Sequence, residues 1–315
     1  MSASEYAVVL DHLTRRFGPF TAVDGISLTV PWGEVFGFLG PNGAGKSTTI
    51  RMLCGLLAPT SGSGSVAGFD LRTQPEAIKS RIGYMSQKFS LYEDLTVAEN
   101  IEFYAGVYSV PPSRLAERKA WVLDMADLQG REHSLARELA VGWKQRLALG
   151  CAVVHEPRLL FLDEPTSGVD PLARRSFWDL IRELASRGIT VFVTTHYMDE
   201  AEHCDRLGMI YRGRLIALGS SAELKQRFAG GTLLEVAVQD PMRGLEVLAQ
   251  NPETGEVAVF GRHLHVVMQQ PVAEATETVR EVLTAAGLDA ATLEPITPSL
   301  EDVFVALVEQ ADKAG

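Results

Sequence analysis

Val35-Phe36-Gly37-Phe38-Leu39-Gly40-Pro41-Asn42-Gly43-Ala44-Gly45-Lys46-Ser47-Thr48 is a short apolar run that breaks into a glycine loop and then into a helical pattern, Ser47 to Leu57. An unbroken apolar run of this length reads as a strand covered on both faces, as in a parallel sheet. Gly40 to Ser47 matches GxxxxGK[ST], and the strand before it and the helix after it are the context that gives the motif meaning. Its glycines let successive backbone N–H groups converge on phosphate oxygens, and the helix N-terminus adds partial positive charge. Lys46 supplies a point charge for the β- and γ-phosphates, and Ser47 offers a hydroxyl to Mg²⁺.

Two further apolar runs end in reactive residues. Leu159 to Leu162 leads into Asp163-Glu164, and Thr190 to Val193 leads through Thr194-Thr195 into His196. In a parallel sheet the ligand crevice lies at the C-terminal ends of strands, so both ends are expected beside the loop. There Asp163 would hold the hydration shell of Mg²⁺, Glu164 would orient or deprotonate an attacking water, and His196 would hydrogen-bond a γ-phosphate oxygen.

Strands alternating with helices up to about residue 229 predict an α/β domain with a mainly parallel sheet. From about 87 to 150 the pattern is helical only, an all-helical insert. Thr96 with Glu99 forms a capping-box sequence, and Pro111-Pro112 ends the helix it opens. Residues 230–315 are expected to form a small C-terminal α+β domain, with Gly230-Gly231 as a hinge. Its strands are expected at Leu233–Val238, Val257–Phe260 and Leu264–Met268, and its helices at Val272–Ala286 and Leu300–Val308. From Lys225 onward six basic residues face fourteen acidic ones, so this part carries −8 of the total charge of −11.

That acidity disfavours nucleic acid and anionic membrane surfaces as partners. The three dispersed cysteines, Cys54, Cys151 and Cys204, suggest neither a disulfide framework nor a zinc site, and fit a reducing compartment. No stretch is apolar enough to span a bilayer and no leader is apparent, so membrane contact is expected through another chain.

In their order and spacing these motifs resemble the ATP-binding subunit of ATP-binding cassette (ABC) transporters, from roughly Val8 to Leu224. The fold implied is a P-loop NTPase, the ABC cassette. The resemblance implies that Phe17 stacks on adenine and that Gly40, Pro41, Asn42, Gly43, Ala44, Gly45, Lys46, Ser47 and Thr48 hold ATP. Gln87 would link Mg²⁺ to a transport partner, and Ser167-Gly168-Val169-Asp170 would cross to a second subunit. His196 would be the switch histidine. It implies two cassettes sandwiching two ATP molecules, a homodimer being favoured and a heterodimer left open, with a separate transmembrane permease carrying the substrate. The cassettes would sit on the cytoplasmic face of the inner (cell) membrane.

One segment departs from the family pattern. Where Leu-Ser-Gly-Gly-Gln is typical, this chain has Leu139-Ala140-Val141-Gly142-Trp143, which keeps only the second glycine before a helix expected to be amphipathic through Leu147, Cys151 and Val154. Gly142 is expected to reach ATP on the opposing subunit, more weakly than a Ser-Gly pair would. Gly-Trp segments of this kind resemble a subgroup of bacterial multidrug exporter ATPases. The ending Pro298 to Phe304 resembles a tail of the same branch. The competing readings are a soluble ABC ATPase acting on ribosomes or DNA, and a module that docks through ATP without turnover.

Overall fold

Val35–Leu39 is fully buried and sits in the middle of a six-stranded sheet. The computed structural model describes residues 5–228 and 231–314. In chain order the first part contains β1 (Tyr6–Phe17), β2 (Phe20–Pro31), β3 (Val35–Leu39), α1 (Lys46–Leu53), β4 (Ser61–Val66), β5 (Phe69–Asp70), α2 (Pro75–Lys79) and β6 (Ile82–Met85). There follow α3 (Val97–Val107), α4 (Pro112–Met125), α5 (Val141–Val153), β7 (Leu159–Asp163), α6 (Pro171–Ser186), β8 (Thr190–Thr195), α7 (Met198–Ala201), β9 (Arg206–Tyr211) and β10 (Arg214–Gly219).

The central sheet runs β10-β9-β3-β8-β7-β6, and β3 pairs in parallel with both β8 and β9, as do β7 with β8 and β6 with β7. Side chains at every position of β3, β7 and β8 are buried, which is why these strands are apolar without alternation. A second, antiparallel sheet, β2-β1-β4-β5, contributes Val8, Leu10, Leu13, Val23 and Ile26 to a core shared with Phe36, Phe38 and Ile50. The hydrophobic effect of burying these side chains is the main term holding the two layers together.

Helices α3, α4 and α5 close a core of their own through Val97, Ile101, Val122, Leu147 and Cys151. The Thr96–Glu99 capping box is formed in both directions, and Pro112 occupies the first turn of α4, where its missing N–H costs nothing. Helix α5 corrects an expectation: it is buried nearly all round and not amphipathic. Beyond its first turn it is packed among α3, α4, α6 and β6, which leaves little solvent face to mark with polar residues.

The chain divides into two compact units between Leu218 and Gly219, ahead of the boundary expected at 229/230. The residues just before the expected hinge form a helix, α8 (Ser221–Phe228), which buries Leu224 and packs against the last helix. Of the expected hinge pair, Gly230 lies outside the described residues.

The second unit continues with β11 (Thr232–Val238), α9 (Pro241–Ala249), β12 (Thr254–Phe260), β13 (His263–Met268), α10 (Val272–Ala285), β14 (Ala290–Pro295) and α11 (Leu300–Ala314). Its antiparallel sheet is ordered β12-β13-β11-β14. Alternate residues Leu234, Val236 and Val238 of β11 and Leu264, Val266 and Met268 of β13 face Leu248 of α9 and Val279 and Leu283 of α10. From β13, His265 Nδ1 lies 2.5 Å from Asp302 Oδ1 of α11.

Candidate nucleotide site

The loop between β3 and α1 owes two of its glycines to crowding. A Cβ on Gly40 would stand 2.3 Å from the Ile210 carbonyl oxygen, and one on Gly45 2.5 Å from that of Ala22. Gly45 is also left-handed, at φ +109°, and starts α1 without a side-chain cap, so the first-turn N–H groups stay directed at the cleft. The cleft in front of the loop has a volume of about 590 Å³. Its walls are Phe20, Ala22, Asn42, Gly43, Gly45, Lys46, Ser47, Thr48, Gln87, Glu164, Ser167 and His196.

Lys46 is 4% exposed, and its ammonium is fully committed. It donates to the carbonyls of Gly40 at 2.6 Å and Pro41 at 3.1 Å, and pairs with Glu164 Oε1 at 3.0 Å. Glu164 therefore meets three groups. Its Oε2 accepts a hydrogen bond from Gln87 Nε2 at 3.2 Å and stands 3.3 Å from His196 Nδ1. Its backbone lies at φ +45°, a strained region for a residue other than glycine, and such strain concentrates at functional turns.

Beneath this layer, Asp163 Oδ1 accepts hydrogen bonds from Ser47 Oγ at 3.0 Å and Thr194 Oγ1 at 2.8 Å. Burial pushes the Asp163 carboxyl above the usual aspartate range, while the two hydroxyls hold it down and the Glu164 charge adds to the rise. The same Thr194 hydroxyl accepts the N–H of Glu164 at 2.9 Å. Thr194 thus fixes both acids, and sequence reading missed it. The available signal was hydroxyls at the end of a fully buried strand, Thr194 and Thr195.

The structure brings Lys46, Ser47, Gln87, Asp163, Glu164 and His196 together. Phe17, one of the expected residues, is not among the cleft walls. Phe20, not Phe17, lines the cleft; Phe17 sits across the β1–β2 turn, with the Arg15 guanidinium 4.5 Å above its ring. Gly142, expected to serve the opposing chain, is half-buried in the first turn of α5 and lies outside this chain's cleft walls.

Comparison with known proteins bears on this arrangement. The family described as ABC transporter matches residues 23–167. Over 308 residues, 96% of this chain and 96% of the relative, the sequence is 35% identical to the daunorubicin resistance ATP-binding protein DrrA3 of Streptomyces coeruleorubidus. The chain belongs to the ATP-binding proteins of ABC transporters. It is 50% identical over 225 residues to the probable multidrug ABC transporter ATP-binding protein YbhF of Escherichia coli (strain K12), spanning 39% of that relative's length. A solved ATP-binding subunit of an ABC transporter superposes with a TM-score of 0.65 at 29% identity, covering 71% of this chain and 93% of the other. The dimeric ATP-binding cassette MJ0796, bound to ADP and Pi, gives 0.62 at 25% identity, covering 68% of this chain and 98% of the other.

In this ABC protein Ala140, Val141 and Gly142, at the start of α5, carry no side-chain donor. Ala140 precedes the helix and cannot cap it, Val141 is 47% exposed, and the Trp143 ring has the guanidinium groups of Arg131 and Arg146 4.6 and 5.6 Å from its centre. What α5 presents outward is its own first-turn N–H groups. Among the described residues, no helix is long and apolar enough to cross a membrane.

Proposed function

We propose that the chain hydrolyses ATP to power export through a separate transmembrane permease, working as a pair of cassettes. The observation that carries this reading is the convergence of Lys46, Ser47, Asp163, Glu164, Gln87 and His196 on one cleft in front of a helix N-terminus.

The cleft suits a nucleoside triphosphate in charge as well as size, since Lys46 and the α1 N-terminus both favour anions. Mg²⁺ also fits, because the Ser47 hydroxyl and the Asp163 carboxylate are hard oxygen donors that meet at 3.0 Å, with the Gln87 amide at the rim. When bound, the ion neutralises charge on the phosphates. The β1–β2 turn gives adenine an aromatic platform in Phe20, with Phe17 beside it.

With ATP in place, Lys46 exchanges its contact with Glu164 for phosphate oxygens. That exchange matters, because it frees a Glu164 oxygen to meet a water. Released, Glu164 orients a water and takes its proton as the water oxygen bonds to the γ-phosphorus and the bond to the bridging oxygen breaks. His196 holds a γ-phosphate oxygen. Gly142 and the α5 N-terminus serve the ATP of the opposing chain through backbone donors.

Export is favoured by the names of the relatives, which are resistance and export proteins. The permease contact is assigned to the segment after Gln87. There Phe89 and Ser90 hold left-handed backbones, and Tyr92 is 48% exposed and packs edge-on against Phe103 at 4.5 Å. The three native cysteines are buried, so a cysteine placed at Tyr92 is the reactive one. Purification of Tyr92→Cys from membranes after crosslinking is expected to yield a hydrophobic, multi-span chain joined to this one. Recovery with ribosomes or DNA and no such chain overturns the reading.

A further inference from the structure

Behind the cleft walls lies a buried carboxylate without a part in the mechanism above. Glu200 of α7 is 1% exposed. It accepts a hydrogen bond at Oε1 from the Thr166 hydroxyl, and at Oε2 from the Thr195 hydroxyl at 2.6 Å. Arg174 Nε of α6 stands 3.4 Å from Oε1. A carboxylate is costly to bury unless paired and hydrogen-bonded, and here both conditions are met.

The partners make this more than a satisfied core group. Thr195 Oγ1 also accepts the N–H of Tyr197 at 3.0 Å, so one hydroxyl fastens the residues on either side of His196. The carbonyl of Thr195 takes the N–H of Gly40 at 3.3 Å, which ties the same residue to the start of the phosphate loop. Thr166 belongs to the turn that follows Glu164, where Ser167 N–H donates to the Glu164 carbonyl and Val169 N–H to that of Thr166, each at 3.2 Å. Arg174 completes the ring: its guanidinium lies 4.0 Å from the centre of the Tyr197 ring, and Nη1 is 3.5 Å from Asp199.

We propose that Glu200 is a positioning residue for hydrolysis, its carboxylate bridging the turn after Glu164 to the turn that carries His196. This rests on the roles given above to those two residues. The bridge fixes the spacing between the base and the group that holds the γ-phosphate, while Lys46 and Ser47 lie outside it. Losing it is therefore expected to slow the chemical step and leave nucleotide affinity in place.

Phosphate release and ATP affinity of the full chain with Mg-ATP test this. Glu200→Gln keeps the side-chain size but puts an amide donor against one of the two hydroxyls. It is expected to lower kcat roughly tenfold, with ATP affinity within about twofold of wild type and the melting temperature little changed. Thr166→Val and Thr195→Val should each give part of that loss, and adding either to Glu200→Gln should cost little more, as for residues that act as a unit. Wild-type kcat in Glu200→Gln, losses that multiply independently, or equal falls in kcat and affinity together with the melting temperature would each overturn the proposal. If the wild-type chain releases no phosphate even with its membrane partner, the functional reading falls and takes this inference with it. If wild type turns over and Glu200→Gln matches it, only the role of Glu200 falls.

Discussion

Helices α1 and α5 both begin without a side-chain cap, yet their surroundings differ. Around the start of α1 the same chain gathers an ammonium, a hydroxyl, two carboxylates, an amide and an imidazole. At the start of α5 stand Ala140, Val141 and Gly142, with no donor beyond the backbone. By contrast α3 and α6 satisfy their own first turns, through Thr96 and Asp170. An uncapped first turn attracts anions, but α1 adds the charge and the base that chemistry needs. The α5 terminus can at most complete a site built by another chain.

The largest expected effect comes from breaking the α1 side. Glu164→Gln removes the carboxylate proposed as proton acceptor and should cut kcat by roughly 10²–10⁴ while ATP still binds, measured by phosphate release beside equilibrium binding. Lys46→Ala should act on the other quantity. Losing charge-assisted contacts to phosphate should weaken ATP binding by roughly ten- to a hundredfold. Equal effects of the two variants on binding would erase the division of labour between them.

Sharpening the α5 side works in the opposite direction. Ala140→Ser with Val141→Gly restores a hydroxyl donor and a less crowded backbone, and should raise turnover of the chain alone by about tenfold. No gain would mean that Trp143 and Lys144 already compensate.

The smallest effect concerns what the α1 site costs the fold. The native pKa of Asp163 is raised by burial, so in the unfolded chain this carboxyl loses its proton first. Stability is therefore lost as pH rises from the ordinary aspartate range through the raised native value, and at neutral pH the ionised Asp163 is a burden. Asp163→Asn keeps an acceptor for Ser47 and Thr194 and should raise the melting temperature of the nucleotide-free chain by roughly 2–4 °C, about 1 kcal/mol. A lower melting temperature would show that the carboxylate is a net stabiliser.

Much of the α1 site was legible because its residues sit at the ends of apolar strands, where a change from apolar to polar is abrupt. Glu164 and His196 needed no knowledge of packing. Phe20 and Thr194 did, since one is chosen by the geometry of a hairpin turn and the other by burial of a hydroxyl. Three of the four C-terminal strands were readable from alternation; β14 was not, and α9 was missed although Asp240-Pro241 opens it. The Asp240 side chain accepts the N–H of Arg243, a start signal that a short helical run did not make conspicuous. Strands β1 and β2 were not read because bulges at Leu10–Leu13 and Arg15–Arg16 interrupt their period. Helix α5 misled for another reason: beyond its first turn it is packed nearly all round, and such a helix carries little period to read.

The most direct test of the proposed pairing is phosphate release per chain, followed as the chain concentration is varied about a hundredfold at saturating Mg-ATP. If α5 completes the site of a second chain, the rate per chain rises with concentration, and the Ala140→Ser, Val141→Gly form reaches the same rate at lower concentration. A rate per chain that stays constant across the range would contradict the pairing and assign hydrolysis to the α1 site alone.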